Sequence, residues 1–157
     1  MSASAVASLA TELDEGVVVT DPDILASYRQ DRAMDPNAGT PLAVVRPRTT
    51  EEVQTVLRWA TAHRIAVVPR GAGTGLSGGS TAVDGGIVLS TEKMRDITVD
   101  PLTRTAVVQP GLLNAEVKKA VAEQGLWYPP DPSSFEICSI GGNIATNAGG
   151  LCCVKYG

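Results

Sequence analysis

Apolar and polar positions along the chain change period several times, and each change marks an element. In 4–14, SAVASLATELD, Val6, Leu9, Ala10 and Leu13 recur at helical spacing and predict an amphipathic helix. Positions 16–20 read as a brief extended turn. Thr20-Asp21-Pro22 is a helix-start signal, with Pro22 suited to the first turn, leading into DILASYRQ. The stretch 31–41, DRAMDPNAGTP, has Pro, Asn and Gly without a period and reads as a linker. The expected organisation is therefore a helical lead-in over 1–40 and a domain over 41–157.

From Pro41 the pattern sharpens. LAVVRP at 42–47 is a short apolar strand closed by proline. TTEEVQTVLRWATAHR follows, with Thr50 as N-cap and Glu51 and Glu52 as first-turn acids favoured by the helix dipole. Val53, Val56, Leu57 and Ala60 lie along one face of that helix. IAVVP at 65–69 completes a strand–helix–strand unit, and GIVLS at 86–90 is a third strand. ITVD at 97–100 and TAVVQP at 105–110 flank PLTR as a hairpin, and LNAEVKKAVAEQG is a helix that stops at Gly125. Strands alternating with helices and then a hairpin predict an α+β fold with a mixed sheet.

Two stretches fit no period. VVPRGAGTGLSGGS at 67–80 places Gly71, Gly73, Gly75, Gly78 and Gly79 in one loop, although glycine loses more backbone freedom on folding than any other residue. Gly73 to Gly78 matches G-x-G-x-x-G, whose dinucleotide-binding mechanism needs a helix opening directly after the loop. Here Gly79, Ser80, Thr81, Asp84, Gly85 and Gly86 lead to a strand instead. The reading that survives is an anion nest, in which residues free to take either sign of φ turn their N–H groups inward. Thr74 and Ser77 add hydroxyls, and Arg70 supplies charge or anchors the loop. Such a site takes a pyrophosphate; the alternative is a long flexible turn.

The second stretch, YPPDPSSFEICSIGGNIATNAGG at 128–150, begins with prolines that fix an extended path to Asp131-Pro132. The small residues after Gly141-Gly142-Asn143 let a backbone or a flat ring approach closely. Asn143, Thr146 and Asn147 offer amide and hydroxyl groups to a heterocycle edge. The alternative is a tightly packed turn and helix.

Composition narrows the chemistry. Among 157 residues, 13 Lys and Arg against 17 Asp and Glu give a net charge of −4, and aromatics are 4%. That balance argues against nucleic acid as a partner. No apolar run approaches the ~20 residues of a membrane span. Cys138, Cys152 and Cys153 form an odd set that reads as reduced thiols in a cytoplasmic protein. His63, the single histidine, reads as a solvated helix-end residue, so no metal site is expected.

Taken together, PRGAGTGLSGGS and DPSS…SIGGNIATNAGG…KYG resemble the FAD-binding domain of the vanillyl-alcohol oxidase and p-cresol methylhydroxylase group. The likeness is greatest to its FAD-linked oxidases of 2-hydroxy acids, such as glycolate oxidase D subunits and D-lactate or D-2-hydroxyglutarate dehydrogenases. The resemblance runs from Pro41 to Gly157. It implies that the backbone of Arg70, Gly71, Ala72, Gly73, Thr74, Gly75, Leu76 and Ser77 cradles the FAD pyrophosphate. It implies that Pro110 and Gly111 line the cofactor, and that Pro132, Ser139, Gly142, Asn143 and Thr146 reach the flavin end. Some members hold flavin covalently through a histidine in the first loop; Thr74 stands at the matching position, which implies non-covalent FAD.

In the family the FAD domain continues past VKYG, and a cap domain carries the substrate site and the catalytic histidines. The expectation is thus a truncated chain, inactive alone and with weak or no FAD retention, that meets its small-molecule substrate only through the cap. A non-catalytic nucleotide-binding remnant, or the same fold acting on a sugar or aromatic alcohol, are the alternatives.

Overall fold

Ile87–Ser90 (β4) is buried along its whole length because strands pack on both of its edges and helices on both of its faces. The computed structural model describes residues 2–156; Gly157, which closes the KYG match, lies outside them. The first sheet has the order β1-β2-β4-β3, with β1 Val18–Val19, β2 Ala43–Val45 and β3 Val67–Arg70. β2 and β3 both run parallel to β4, so the strand after the glycine loop is inserted between two strands that precede it. β1 closes the edge antiparallel to β2.

Alternation along the strands divides the core. Ala43, Val45, Ile87 and Leu89 face α1 (Ser2–Glu12) and α3 (Thr50–His63), meeting Val6, Leu9, Val56, Trp59 and Ala60. Val44 and Val88, paired in register, face the other way onto Leu25 of α2 (Pro22–Ser27), Tyr28 and Ala82. Asp21 caps α2 by accepting the Asp23 and Ile24 amides at 2.9 and 3.2 Å, as the Thr-Asp-Pro signal requires.

Several details depart from the sequence reading. The N-cap of α3 is Thr49, not Thr50: its extended backbone lets the Thr49 hydroxyl accept the Glu52 amide at 3.2 Å. Leu57 is exposed and Trp59 takes the inward place, since its indole N–H donates to Ser8 Oγ at 3.0 Å across the α1–α3 contact. Ala10 is likewise exposed. Residues 31–41 are not a free linker. Asp31 and Ala38 are buried, and Gly39 N–H donates to Ala82 O at 2.8 Å.

The second layer is smaller. β5 (Ile97–Asp100) and β6 (Thr105–Val108) form the expected hairpin, with Asp100 Oδ1 accepting the Leu102 and Thr103 amides of its turn. α4 (Asn114–Ala122) and α5 (Ile140–Ala145) pack on it through Leu112, Val117, Val121 and Ile140. α6 is a single turn, Cys153–Tyr156.

Candidate functional site: a cleft where the two glycine-rich runs meet

Parallel strands open their binding crevice at their carboxyl ends, and β3 and β4 do so toward the second layer. A cleft of about 290 Å³ lies there, lined by Arg70, Gly71 and Ala72 after β3 and by Glu92 and Arg95 after β4. Gly111, Leu113 and Ser139 close it from the second layer, and Ser27 and Tyr28 from the end of α2. No helix opens after β3: the described residues from Gly71 to Gly86 run as bends and turns into β4. The dinucleotide fingerprint is therefore excluded by geometry, and the start of the loop is tied to its surroundings by the contacts that follow.

Ser139 joins the two runs. Its hydroxyl caps α5 by accepting the Gly142 amide at 3.3 Å and also accepts the Ala72 amide at 3.2 Å. The second run thus forms the short capped helix that was the alternative reading, with its N-terminal end against the first loop. Gly71 must be bare for this contact, because a Cβ there would stand 2.5 Å from Ser139 Oγ.

Gly73 holds φ +69°, and a side chain on it would land on the Arg70 guanidinium. Arg70 donates to the Gln30 carbonyl at 2.9 Å and lies over the Tyr28 ring, 5.4 Å from its centroid. Burial holds its pKa below the ordinary arginine value, opposed by the charges of Tyr28, Asp31 and Glu92. Of the remaining nest glycines only Gly78 has a positive φ, +74°. Gly71 and Gly75 keep negative φ, and nothing in the structure requires glycine at 79.

The other expected residues sit as follows. Thr74 and Gly75 are half-buried in the loop, while Leu76 and Ser77 are exposed at its tip. Pro110 accepts the Gly141 amide at 2.9 Å, and Gly111 donates to Met94 O at 2.8 Å so tightly that a Cβ would strike the Thr91 carbonyl. Asn143 is 7% exposed and does not line the cleft, and its buried Nδ2 has no partner among the described residues. Gly142 does not line the cleft but lies against Gly71, which does, and its amide donates to Ser139 Oγ. Thr146 is exposed and donates to Gly142 O at 2.9 Å, while Pro132 is buried beneath Gly150; neither lines the cleft.

Tyr28, Glu92 and Arg95 also line the cleft, although no motif marks them. The Glu92 carboxylate is fully engaged: it accepts from Tyr28 Oη at 2.7 Å and Ser90 Oγ at 3.2 Å, and faces Arg46 at 3.7 Å. Burial first, then that carboxylate, raises the Tyr28 pKa, with Arg46 opposing. Arg95 donates to the Gly111 carbonyl at 3.2 Å and pairs with Glu116. The cleft therefore offers a cation, free backbone edges and an engaged carboxylate.

His63 is exposed at the end of α3, where its ring stacks on Trp59, and the described helices include none long and apolar enough to cross a membrane.

Comparison with known proteins agrees with this geometry. A family model described as an FAD binding domain matches residues 41–157. The chain is 48% identical over 141 residues to a D-2-hydroxyglutarate dehydrogenase of Xanthomonas citri pv. viticola, covering 88% of this chain and 29% of that protein. It is 43% identical over 145 residues to the glycolate oxidase subunit GlcD of Escherichia coli K12, covering 92% of this chain and 27% of that one. Substrate-bound p-cresol methylhydroxylase superposes with a TM-score of 0.75 at 25% identity, over 90% of this chain and 28% of its own. The chain spans less than a third of the length of these relatives. With two glycine-rich runs joined across one cleft and a family match over that whole region, this chain belongs to the FAD-binding domain family of the FAD-linked oxidases.

Proposed function

We propose that this chain is the FAD-binding portion of a flavin-dependent oxidoreductase that oxidises a 2-hydroxy acid of the glycolate, D-lactate or D-2-hydroxyglutarate type. The observation that carries the reading is the Ser139 junction, which sets the bare backbone of Gly71 and Ala72 against the N-terminal end of α5 beside a cationic cleft.

The residues present fit the cofactor. Backbone from Arg70 to Ser77 holds the diphosphate, with the half-buried Arg70 guanidinium as counter-charge. Gly111 borders the cleft next to Pro110, its bare face packed against the Thr91 and Met94 carbonyls. Asn143 has a buried amide group free to donate, which suits a heterocycle edge. Ser139 fixes the spacing between these two halves. FAD, when bound, supplies the hydride acceptor for the substrate's C2–H. This chain's own part is placement: binding, orienting and shielding, with the substrate held by parts of the longer relatives beyond its span. Thr74 leaves the loop without a histidine for a covalent link, so the cofactor is non-covalent. Three free thiols suit a cytoplasmic setting.

The test is titration of the purified chain with FAD, followed by flavin fluorescence. Saturable quenching is expected, with the flavin released into the supernatant on acid precipitation and no dye reduction with glycolate or D-lactate. Absence of any saturable binding overturns the reading of the cleft. Flavin that stays with the precipitate overturns the non-covalent part.

A further inference from the structure

The chain from Tyr28 at the end of α2 to Arg32, where the expected linker begins, touches the glycine loop at its start, its middle and its end. At the start, the Gln30 carbonyl accepts from Arg70 at 2.9 Å, and the Tyr28 ring lies beneath the same guanidinium. In the middle, the Arg32 amide donates to the Gly75 carbonyl at 3.0 Å. At the end, Ala82 N–H donates to the Arg29 carbonyl at 2.9 Å, and Asp31 Oδ2 accepts from the Ser80 amide and hydroxyl at 3.4 and 3.5 Å. Asp31 is 7% exposed, and its other oxygen accepts the Ala33 amide at 2.9 Å. Arg29 fixes the segment in turn, donating from Nε to Gly39 O at 2.9 Å and from Nη2 to Ala38 O.

We infer that Tyr28 to Arg32 is a clasp that holds the loop in its anion-binding shape, with Asp31 as the positioning residue. The inference rests on the reading of the loop as the diphosphate site. Between β3 and β4 no helix and no strand partner fixes the loop's backbone, and glycine-rich backbone has the most freedom to lose on ordering. Contacts from a separate segment anchored by buried Asp31 remove that freedom before the ligand arrives, which lowers the ordering cost of binding. Charge alone argues the other way. A carboxylate 3.8 Å from where a Gly75 Cβ would stand repels a diphosphate bound nearby. Asp31 is tolerated there because its oxygens are turned to Ala33 and Ser80.

The two roles have opposite signs in one variant. Asp31→Asn keeps an acceptor for Ala33 but presents an amide N–H to the Ser80 donors, and it removes the charge. As a positioning residue, Asp31→Asn weakens FAD binding to the 157-residue chain about tenfold. It also speeds amide exchange of residues 73–82 about tenfold, with the amides of α3 and β4 unchanged. Ser80→Ala, which removes one of the two donors, produces a smaller change of the same sign in both readouts. Unchanged or tighter FAD binding by a folded Asp31→Asn chain overturns the clasp. So does faster exchange spread evenly over the whole molecule, and so does an Asp31→Asn chain that fails to fold while Ser80→Ala leaves loop exchange at the parent rate. If the parent chain binds no FAD, the cofactor reading fails. The loop-confined exchange change then still decides the clasp on its own.

Discussion

Ser139 accepts the Ala72 amide across 67 positions of sequence, and the same hydroxyl caps α5. One oxygen thus sets both the start of a helix and the distance between two ligand-facing backbones. Ser139→Ala removes both functions. Loss of an N-cap costs about 1 kcal/mol, so the midpoint of denaturant unfolding falls by that equivalent. FAD affinity falls further, about tenfold, because the Ala72 amide loses its fixed direction. Flavin quenching and a denaturant titration measure the two losses separately, and equal losses in both would show that the tie to Ala72 has no effect on binding.

Gly73→Ala combines a left-handed backbone with a collision against Arg70. Strain at such a position costs of order 1–3 kcal/mol, and relief requires Arg70 to leave the Gln30 carbonyl. The expected result is loss of detectable FAD quenching together with a measurable fall in thermal midpoint. Gly79→Ala, where no neighbour lies within 4 Å and φ is ordinary, leaves both readouts unchanged.

The phenol of Tyr28 gives a pH signature. Burial and the Glu92 carboxylate raise its pKa above the usual 10.0, and burial does the same at Tyr128. The folded chain therefore keeps these protons more tightly than the unfolded chain. Stability is fully present below about pH 10 and declines as pH rises through the folded-state values. Tyr28→Phe removes one of the two contributions and flattens the alkaline decline, which unfolding curves collected between neutral and strongly alkaline pH detect.

Much of the architecture was legible because it is written in local periods. Asp21-Pro22 fixes the start of α2, the Asp100 carboxylate builds the hairpin turn, and apolar runs at 43–45 and 87–90 give the buried strands. The two glycine-rich runs stood out because bare backbone is costly unless something uses it, and the structure brings them together at Ser139. What local pattern could not show was the pairing of distant parts. Leu57 and Trp59 are both apolar, and it is the α1 face opposite, with Val6, Leu9 and the Ser8 hydroxyl, that Trp59 meets. Residues 31–41 look like loop because the bonds among themselves close only short turns, and others go to residues 75–84, far away in sequence. Tyr28 and Glu92 were missed for the same reason: they are 64 positions apart and carry no motif.

The lead-in belongs to the core. Leu9 is fully buried and Trp59 is 3% exposed against it. Leu9→Ala is expected to cost 2–5 kcal/mol, roughly the value for a buried leucine, whereas Ala10→Ser on the exposed face is expected to cost under about 0.5 kcal/mol. Chemical denaturation of the two variants checks this, and equal midpoints would place α1 outside the cooperative unit.

Exposed apolar side chains gather in the last part of the chain, with Leu151 90% and Val154 98% accessible and Ile144 at 76%. Apolar surface of this kind promotes association. The chain is expected to self-associate as its concentration rises, and Leu151→Glu with Val154→Lys to raise the concentration at which light scattering appears without lowering the thermal midpoint.

The insertion of β4 between β2 and β3 has a consequence for how the chain comes off the ribosome. β2 and β3 emerge first and do not pair with each other, so a nascent chain that stops before Ile87 leaves β3 without a strand partner and β2 with only the two-residue β1. Assembly waits for the glycine loop to cross, and then both ladders close at once on the arriving strand. Conditions that stiffen or order that crossing, the cofactor among them, therefore act on the yield of folded protein as well as on its chemistry.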